Sequence, residues 1–269
     1  MGPVSTAALL SLAALATTAA LQPPIQQVNI TRRHWHDRRC FTEGLALGSD
    51  GRVYESCGRY GVSTLRRELR TGVVLGQVRR PAAVFGEGVT MLNGTLYSLS
   101  YKQMVGTQYD RMLRPLRNFS YSTAQKEGWG LTTDRSNASR PLLVASDGSC
   151  FLYWWDPACA PNCTEVKTLR VMNGGMEFYG LNELEWIPPR KGRMAELLAN
   201  LLIPGYLMIA RIDLASGNVT AFLNFSGVQR WTGALSEKQI FNGVAYDQRT
   251  DRLLVTGKLW NCSFEAEFS

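Results

Sequence analysis

The chain has 269 residues, of which 45% are hydrophobic and 19% charged, with 25 glycines and 10% aromatics. That apolar content supplies a full globular core and excludes a disordered or fibrous chain, and so many glycines and aromatics favour short strands and turns over helices. The formal charge of +7 would suit an anionic partner, but the one dense basic patch, Arg32, Arg33, Arg38 and Arg39, accompanies no nucleic-acid-binding module and reads as a solvated face.

Residues 1–20, MGPVSTAALLSLAALATTAA, are small and apolar and carry no acid. The stretch has the length of a signal h-region and is too short to span a bilayer. Thr18 and Ala20 suit the small-residue cleavage rule, so the mature chain is expected from about Leu21. The departure is an n-region without Lys or Arg. Six cysteines and eight Asn-x-Ser/Thr sequons, at Asn29, Asn93, Asn118, Asn137, Asn162, Asn218, Asn224 and Asn261, agree with a secreted glycoprotein. Cys40 and Cys57 flank a hairpin at Ser49-Asp50-Gly51. Cys150 and Cys163 are equidistant from Asp156-Pro157, and a hairpin turning there would pair them, leaving Cys159 and Cys262. The only histidines, His34 and His36, have no third ligand nearby, and no metal site is expected.

Along the mature chain, Val28–Thr31 reads as a short strand. A phrase then recurs: Phe41-Thr42-Glu43-Gly44-Leu45, Phe85-Gly86-Glu87-Gly88-Val89, Glu127-Gly128-Trp129-Gly130-Leu131 and Phe241-Asn242-Gly243-Val244. Leu181-Asn182-Glu183-Leu184 is a looser copy without the glycine. Each copy opens a run of alternating apolar residues, and Asp50-Gly51, Asn93-Gly94 and Asp147-Gly148 punctuate the units as hairpin turns. In the fourth unit, Pro188–Glu196 reads as an insertion, a helical turn or a flexible loop. Leu197–Ala210 is apolar but broken by Pro204-Gly205, so it is no membrane span.

Starts at 43, 87, 127, about 182 and 242 give steps of 44, 40, 55 and 60 residues. Four strand-sized pieces per step predict an all-β, five-bladed β-propeller over residues 21–269. The first strand of each blade would line the channel. Glu43, Glu87, Glu127 or Trp129, Asn182 and Asn242 would then converge at one mouth, and Val28–Thr31 would complete the last blade.

The motifs His36-Asp37, FTEGL (41–45), GRYGVS (58–63), FGEGVT (85–90), EGWGLTTD (127–134), SDGS (146–149), LNELEW (181–186), Ala199-Asn200, NGVAYD (242–247), VTGKLW (255–260) and Phe264-Glu265 stand in order along residues 36–265. With them the chain resembles the plant and bacterial type of glutaminyl-peptide cyclotransferase, a five-bladed propeller that converts N-terminal glutamine of peptides and proteins to pyroglutamate and releases ammonia. The resemblance implies metal-independent catalysis without a cofactor. Glu87 would be the acid and base, and Glu43 would bind the substrate amine. Trp129 would offer its indole N–H or a stacking face. Asn182 and Lys258 would contact the amide or the developing oxyanion. Phe41, Phe85 and Tyr101 would wall the pocket. A monomer without nucleic-acid or membrane partners is expected. Relatives carry Trp at the positions of Tyr101 and Leu202, and the Pro188–Glu196 insertion is expected to lengthen the approach to the second. Two other readings stay open: a non-catalytic propeller that binds a peptide or glycan, and a hydrolase using channel calcium.

Overall fold

The structure, a computed structural model, describes residues 22–159 and 161–269, and the expected signal segment lies outside them. Twenty-odd short strands form five radial sheets about one axis. From the axis outwards, blade one is Thr42–Leu47, Val53–Cys57, Thr64–Glu68 and Val74–Arg79. Blade two is Gly86–Leu92, Thr95–Ser100, Val105–Tyr109 and Pro115–Ser120. Blade three is Leu131–Asp134, Leu142–Ser146, Phe151–Trp155 and Glu165–Arg170. Blade four is Leu181–Ile187, Glu196–Leu201, Met208–Asp213 and Val219–Asn224, with Ile25–Gln27 added in parallel on its outer edge. Blade five is Phe241–Asp247, Arg252–Gly257 and Cys262–Glu267, and its outermost strand is Asn29–Trp35. The closing strand is thus where the sequence puts it, but four residues longer at its far end. Among the described residues no helix is long and apolar enough to cross a membrane.

The recurring glycines serve the packing of one blade on the next. A Cβ on Gly44 would stand 2.5 Å from the Val89 nitrogen of blade two. On Gly88 it would stand 2.5 Å from the Leu131 nitrogen of blade three, and on Gly130 2.1 Å from the Asn182 carbonyl oxygen of blade four. Only hydrogen fits at these three contacts, so each glycine lets the next inner strand approach. In the fourth copy Glu183 replaces the glycine, and its carboxylate instead reaches across to accept a hydrogen bond from Leu45 N at 2.8 Å. The ladders also slip at the same place in four blades, between Thr42 and Gly44, Gly86 and Val89, Leu181 and Leu184, and Phe241 and Val244. Such bulges turn side chains at a strand start out of the regular alternation.

Apolar clusters fill the seams. Tyr54 and Leu65 meet Leu96 and Tyr109 between blades one and two, and Phe119 and Tyr121 meet Leu143 and Trp155 between two and three. The seam between blades five and one is the thinnest, with only Leu45, Val53, Ala245 and Leu254 buried in its cluster. Polar bonds supplement it. Asn242 Nδ2 donates to Thr42 O at 3.0 Å, and Arg70 reaches Asp247 at 2.5 Å.

Cys40 and Cys57 form a disulfide, as their hairpin suggests. It closes a loop of 17 residues, and loops of that size restrict the unfolded chain by about 3 kcal/mol. Reduction, or paired Cys40→Ser and Cys57→Ser substitution, should lower stability by that order in denaturant titration. An unchanged midpoint would mean that the bridge constrains nothing. The other two expected pairings do not form. Cys150 and Cys262 are buried free thiols, and Cys163 is disulfide-bonded with a partner other than either. The hairpin register explains the first miss. Phe151 pairs with Arg170 and Trp155 with Glu165, so the connection is a long loop and Cys163 lies within it, not opposite Cys150. The insertion is also misplaced by sequence reasoning. It follows Ile187, at the far end of blade four's inner strand, and forms a turn in which Arg190 bonds Asp251 at 2.9 Å. It therefore does not lengthen the approach to the mouth where Asn182 lies.

Candidate active site

All five inner strands start at one mouth of the channel, so the motif residues arrive there together. Glu43 and Glu87 sit at neighbouring bulges, 2% and 5% exposed. Their carboxyl groups are in hydrogen-bonding contact. Lys258, also buried, follows blade five's second strand and donates to Glu43 Oε2 at 2.5 Å.

Two carboxyl groups in contact cannot both ionise cheaply, and their surroundings separate them. Burial pushes Glu43 up, but the Lys258 ammonium pulls the other way. Burial pushes Glu87 well above the usual carboxylate range, and the Glu43 charge drives it further. The surroundings therefore favour the negative charge on Glu43, against Lys258, and the proton on Glu87.

Aromatic rings roof this pair. Lys258 Nζ lies 4.8 Å from the Phe41 ring centre. Phe41 meets Phe85 edge-on at 6.5 Å, and Phe85 meets Tyr101 at 5.8 Å. Tyr101 is hydrogen-bonded to Glu127, which also accepts from Trp129 Nε1 at 3.0 Å and pairs with Lys102 at 3.4 Å. Gly148 lies against the Trp129 ring, where a Cβ would stand 2.4 Å from it. Seven of the eight expected residues thus form one connected cluster: Phe41, Glu43, Phe85, Glu87, Tyr101, Trp129 and Lys258. The eighth, Asn182, is buried at the start of blade four, and its Oδ1 has no hydrogen-bond partner.

Of the two roles expected for Trp129, one is narrowed. The Trp129 N–H is held by Glu127, so only the ring face remains to offer. Asn242 reaches the mouth as expected, and its amide is used there between blades, donating to Thr42 O and accepting from Glu183 N. Sequence reasoning also gave no site role to three residues that the structure brings in. Tyr60 stands half-exposed at the rim, 5.3 Å from Phe85. Glu127 was placed at the mouth only as an alternative to Trp129, without a role, yet it ties Tyr101 to Trp129. Glu183 was read as filling a glycine position, and is a fully buried acid pushed well above the usual range, chiefly by burial. Their signals were present in GRYGVS, EGWG and LNELEW, but only as motif positions.

These features match known proteins. A family model described as glutamine cyclotransferase matches residues 4–268. The glutaminyl-peptide cyclotransferase of Arabidopsis thaliana is 34% identical over 242 residues, covering 88% of this chain and 69% of the plant protein.

The chain belongs to the glutamine cyclotransferase family.

The crystal structure of Myxococcus xanthus glutaminyl cyclase superposes on it with a TM-score of 0.77 at 27% identity, covering 91% of this chain and 98% of the bacterial one. This cyclotransferase has one further buried polar group beside the site. His36 donates through Nδ1 to Trp260 O at 2.8 Å, and its Nε2 meets Glu55 at 2.7 Å. Thr42, next to Glu43, donates to the same carboxylate oxygen at 2.7 Å. His36, Cys40 and Glu55 are the one close grouping of metal-ligand side chains among the described residues, but the Cys40 sulfur is taken by its disulfide.

Burial alone would lower the His36 pKa, yet the Glu55 carboxylate overrides it and holds the ring up at about 9. A raised histidine stabilises the fold fully below its unfolded value of about 6.5, and that contribution is lost as pH rises through about 9. Nearby Glu68, pushed up to about 8 first by burial and then by Glu55, acts in the same direction, because the unfolded chain ionises first. Stability should therefore fall by on the order of 5 kcal/mol between pH 6.5 and 9, about two thirds of it from His36. Denaturant titrations across that range test this, and Glu55→Gln should flatten the curve. A native protein equally stable at both ends would disprove the ion pair.

Proposed function

We propose that the protein is a glutaminyl-peptide cyclotransferase that cyclises N-terminal glutamine to pyroglutamate and releases ammonia. The observation that carries this reading is the buried contact of Glu43 with Glu87 beside Lys258, under an aromatic roof. The attack is intramolecular, so the site needs to select the folded rotamer and manage protons. The substrate amine, with an ordinary pKa of about 7.7–8, is readily neutralised and docks on Glu43. As its nitrogen bonds to the side-chain carboxamide carbon, it gives a proton to the pair. Glu87 passes a proton to the carboxamide nitrogen, the old C–N bond breaks, and ammonia leaves. The pair ends with the one proton it began with. Lys258 faces the developing oxyanion, and the unpartnered Asn182 carbonyl accepts an N–H of the substrate. No step calls on a metal.

The test is ammonia release from a Gln-peptide by the purified mature chain in excess chelator. Peptide binding without ammonia would support a non-catalytic propeller instead, and activity only with calcium would support the channel-metal reading. Secretion and glycosylation belong to the same proposal. Seven of the eight sequon asparagines are exposed, and Asn224 is half-buried.

The roof leads to a further expectation. Leu202 is partly exposed at the site end of blade four's second strand, its N–H bonded to Gly180 O at 2.9 Å. Leu202→Trp should lower KM for short Gln-peptides, by about 0.5–1.5 kcal/mol of added aromatic contact, with a smaller change in kcat. An unchanged or higher KM would mean that this position does not face the substrate.

A further inference from the structure

The opposite mouth of the channel, where the inner strands end, opens into a cavity of about 440 Å³. None of the eight site residues lines it. Its walls carry three arginines from three blades, and each leans across a seam. Arg249 of blade five lies over Gly51 of blade one, where a Cβ would stand 2.9 Å from its guanidinium. Arg111 of blade two lies over Gly94 and donates to Ser49 of blade one at 3.3 Å. Arg135 of blade three donates to Met91 O of blade two at 2.7 Å and to Thr133 at 3.0 Å.

The two acids in the same wall are already satisfied. Asp247 accepts from Arg70 at 2.5 Å and Thr250 at 2.8 Å, besides a long contact from Arg249. Glu185 accepts from Tyr246 N at 2.7 Å and Thr132 at 3.1 Å, both within the channel wall. Arg111 and Arg135 form no ion pair among the described residues, although the Arg135 charge acts on Glu185 at longer range, and all three guanidinium groups stand exposed at the wall with only a few N–H groups bonded to the protein itself. A concave wall with surplus fixed donors and positive charge concentrates anions.

We propose that this far-mouth cavity binds a small polyanion bearing carboxylate or phosphate groups, held by Arg111, Arg135 and Arg249. Two of the three donors rest on glycines whose turns demand positive φ, +75° at Gly51 and +83° at Gly94, so the backbone holds open the space into which the guanidinium groups lean. The site lies a full strand length from Glu87, so occupancy does not block cyclisation.

Isothermal titration of the full mature chain with citrate and, separately, with pyrophosphate tests the proposal. Asn93 lines the same cavity and begins a sequon, so the protein is titrated after enzymatic removal of N-glycans. Saturable binding is expected for at least one probe, with Kd below about 1 mM and weakening as salt is raised. Which probe binds more tightly separates a carboxylate from a phosphate ligand. Arg111→Met with Arg249→Met, both on exposed side chains, should weaken it at least about tenfold, the scale of one lost charge-assisted hydrogen bond, and leave cyclisation unchanged. No saturable binding of either probe, or binding equal in the double variant, overturns the proposal.

Discussion

Glu87→Gln should slow cyclisation by roughly 10²–10⁴ in kcat, the usual contribution of a positioned acid and base, and leave the fold intact. The amide keeps the shape and the contact with Glu43 but cannot pass a proton from the attacking nitrogen to the leaving one. Stability should not suffer, and should rise slightly. The native carboxyl is buried beside another acid and held well above its ordinary range, an unfavourable setting that glutamine does not share. Steady-state kinetics with a Gln-peptide and a parallel melting curve read both parts. Turnover near the native rate would remove Glu87 from the chemistry. A collapse of the fold would mean that the proton on Glu87 is structural.

Glu196→Ala should cost about 3–5 kcal/mol of stability, because it strands a buried cation. Arg211 has no exposed side-chain surface, and Glu196 grips it through two oxygens at 2.6 and 2.8 Å. Its remaining nitrogen donates to Gln26 at 2.6 Å and to Ser269 O. Gln26 is a neutral acceptor and does not replace the carboxylate. The pair Glu196→Leu with Arg211→Met should recover most of the loss, since apolar groups of similar volume leave no charge to desolvate. Denaturant midpoints decide it. A loss under about 1 kcal/mol for the single change would show that water reaches Arg211 when its partner is gone.

Much of the ring was legible in the sequence because its glycines answer a local need that repeats. At three of the seams a side chain after the functional residue would collide with the next inner strand, so the glycine motif marks those blades. Glu43, Glu87 and Lys258 were legible for the same reason, since each belongs to a motif that fixes its distance from a strand end. What escaped was set by pairing between strands far apart in the chain. The cysteine spacing around Asp156-Pro157 is symmetric, but the Phe151–Arg170 register obeys the apolar faces of Leu152 and Trp154 and moves Cys163 into a loop. The insertion after Ile187 looked close to Leu202 in sequence, whereas an antiparallel pair places them at opposite mouths. The Trp129 N–H looked free until Glu127, two residues earlier, turned back to take it.

The last blade draws its outermost strand from residues 29–35 and the other three from residues 241–267. During synthesis this ring has no way to shut until residue 267 has emerged, so an early segment waits with its hydrogen-bonding edge bare while more than two hundred residues are made. Contacts of such sequence separation form slowly, and an unpaired edge invites strand exchange with a neighbouring copy. The waiting strand, NITRRHW, meets that hazard with two consecutive arginines and with a sequon at its first residue. Charge, and a sugar if Asn29 accepts one, would keep the bare edge of a nascent chain from its siblings until its own last strand arrives.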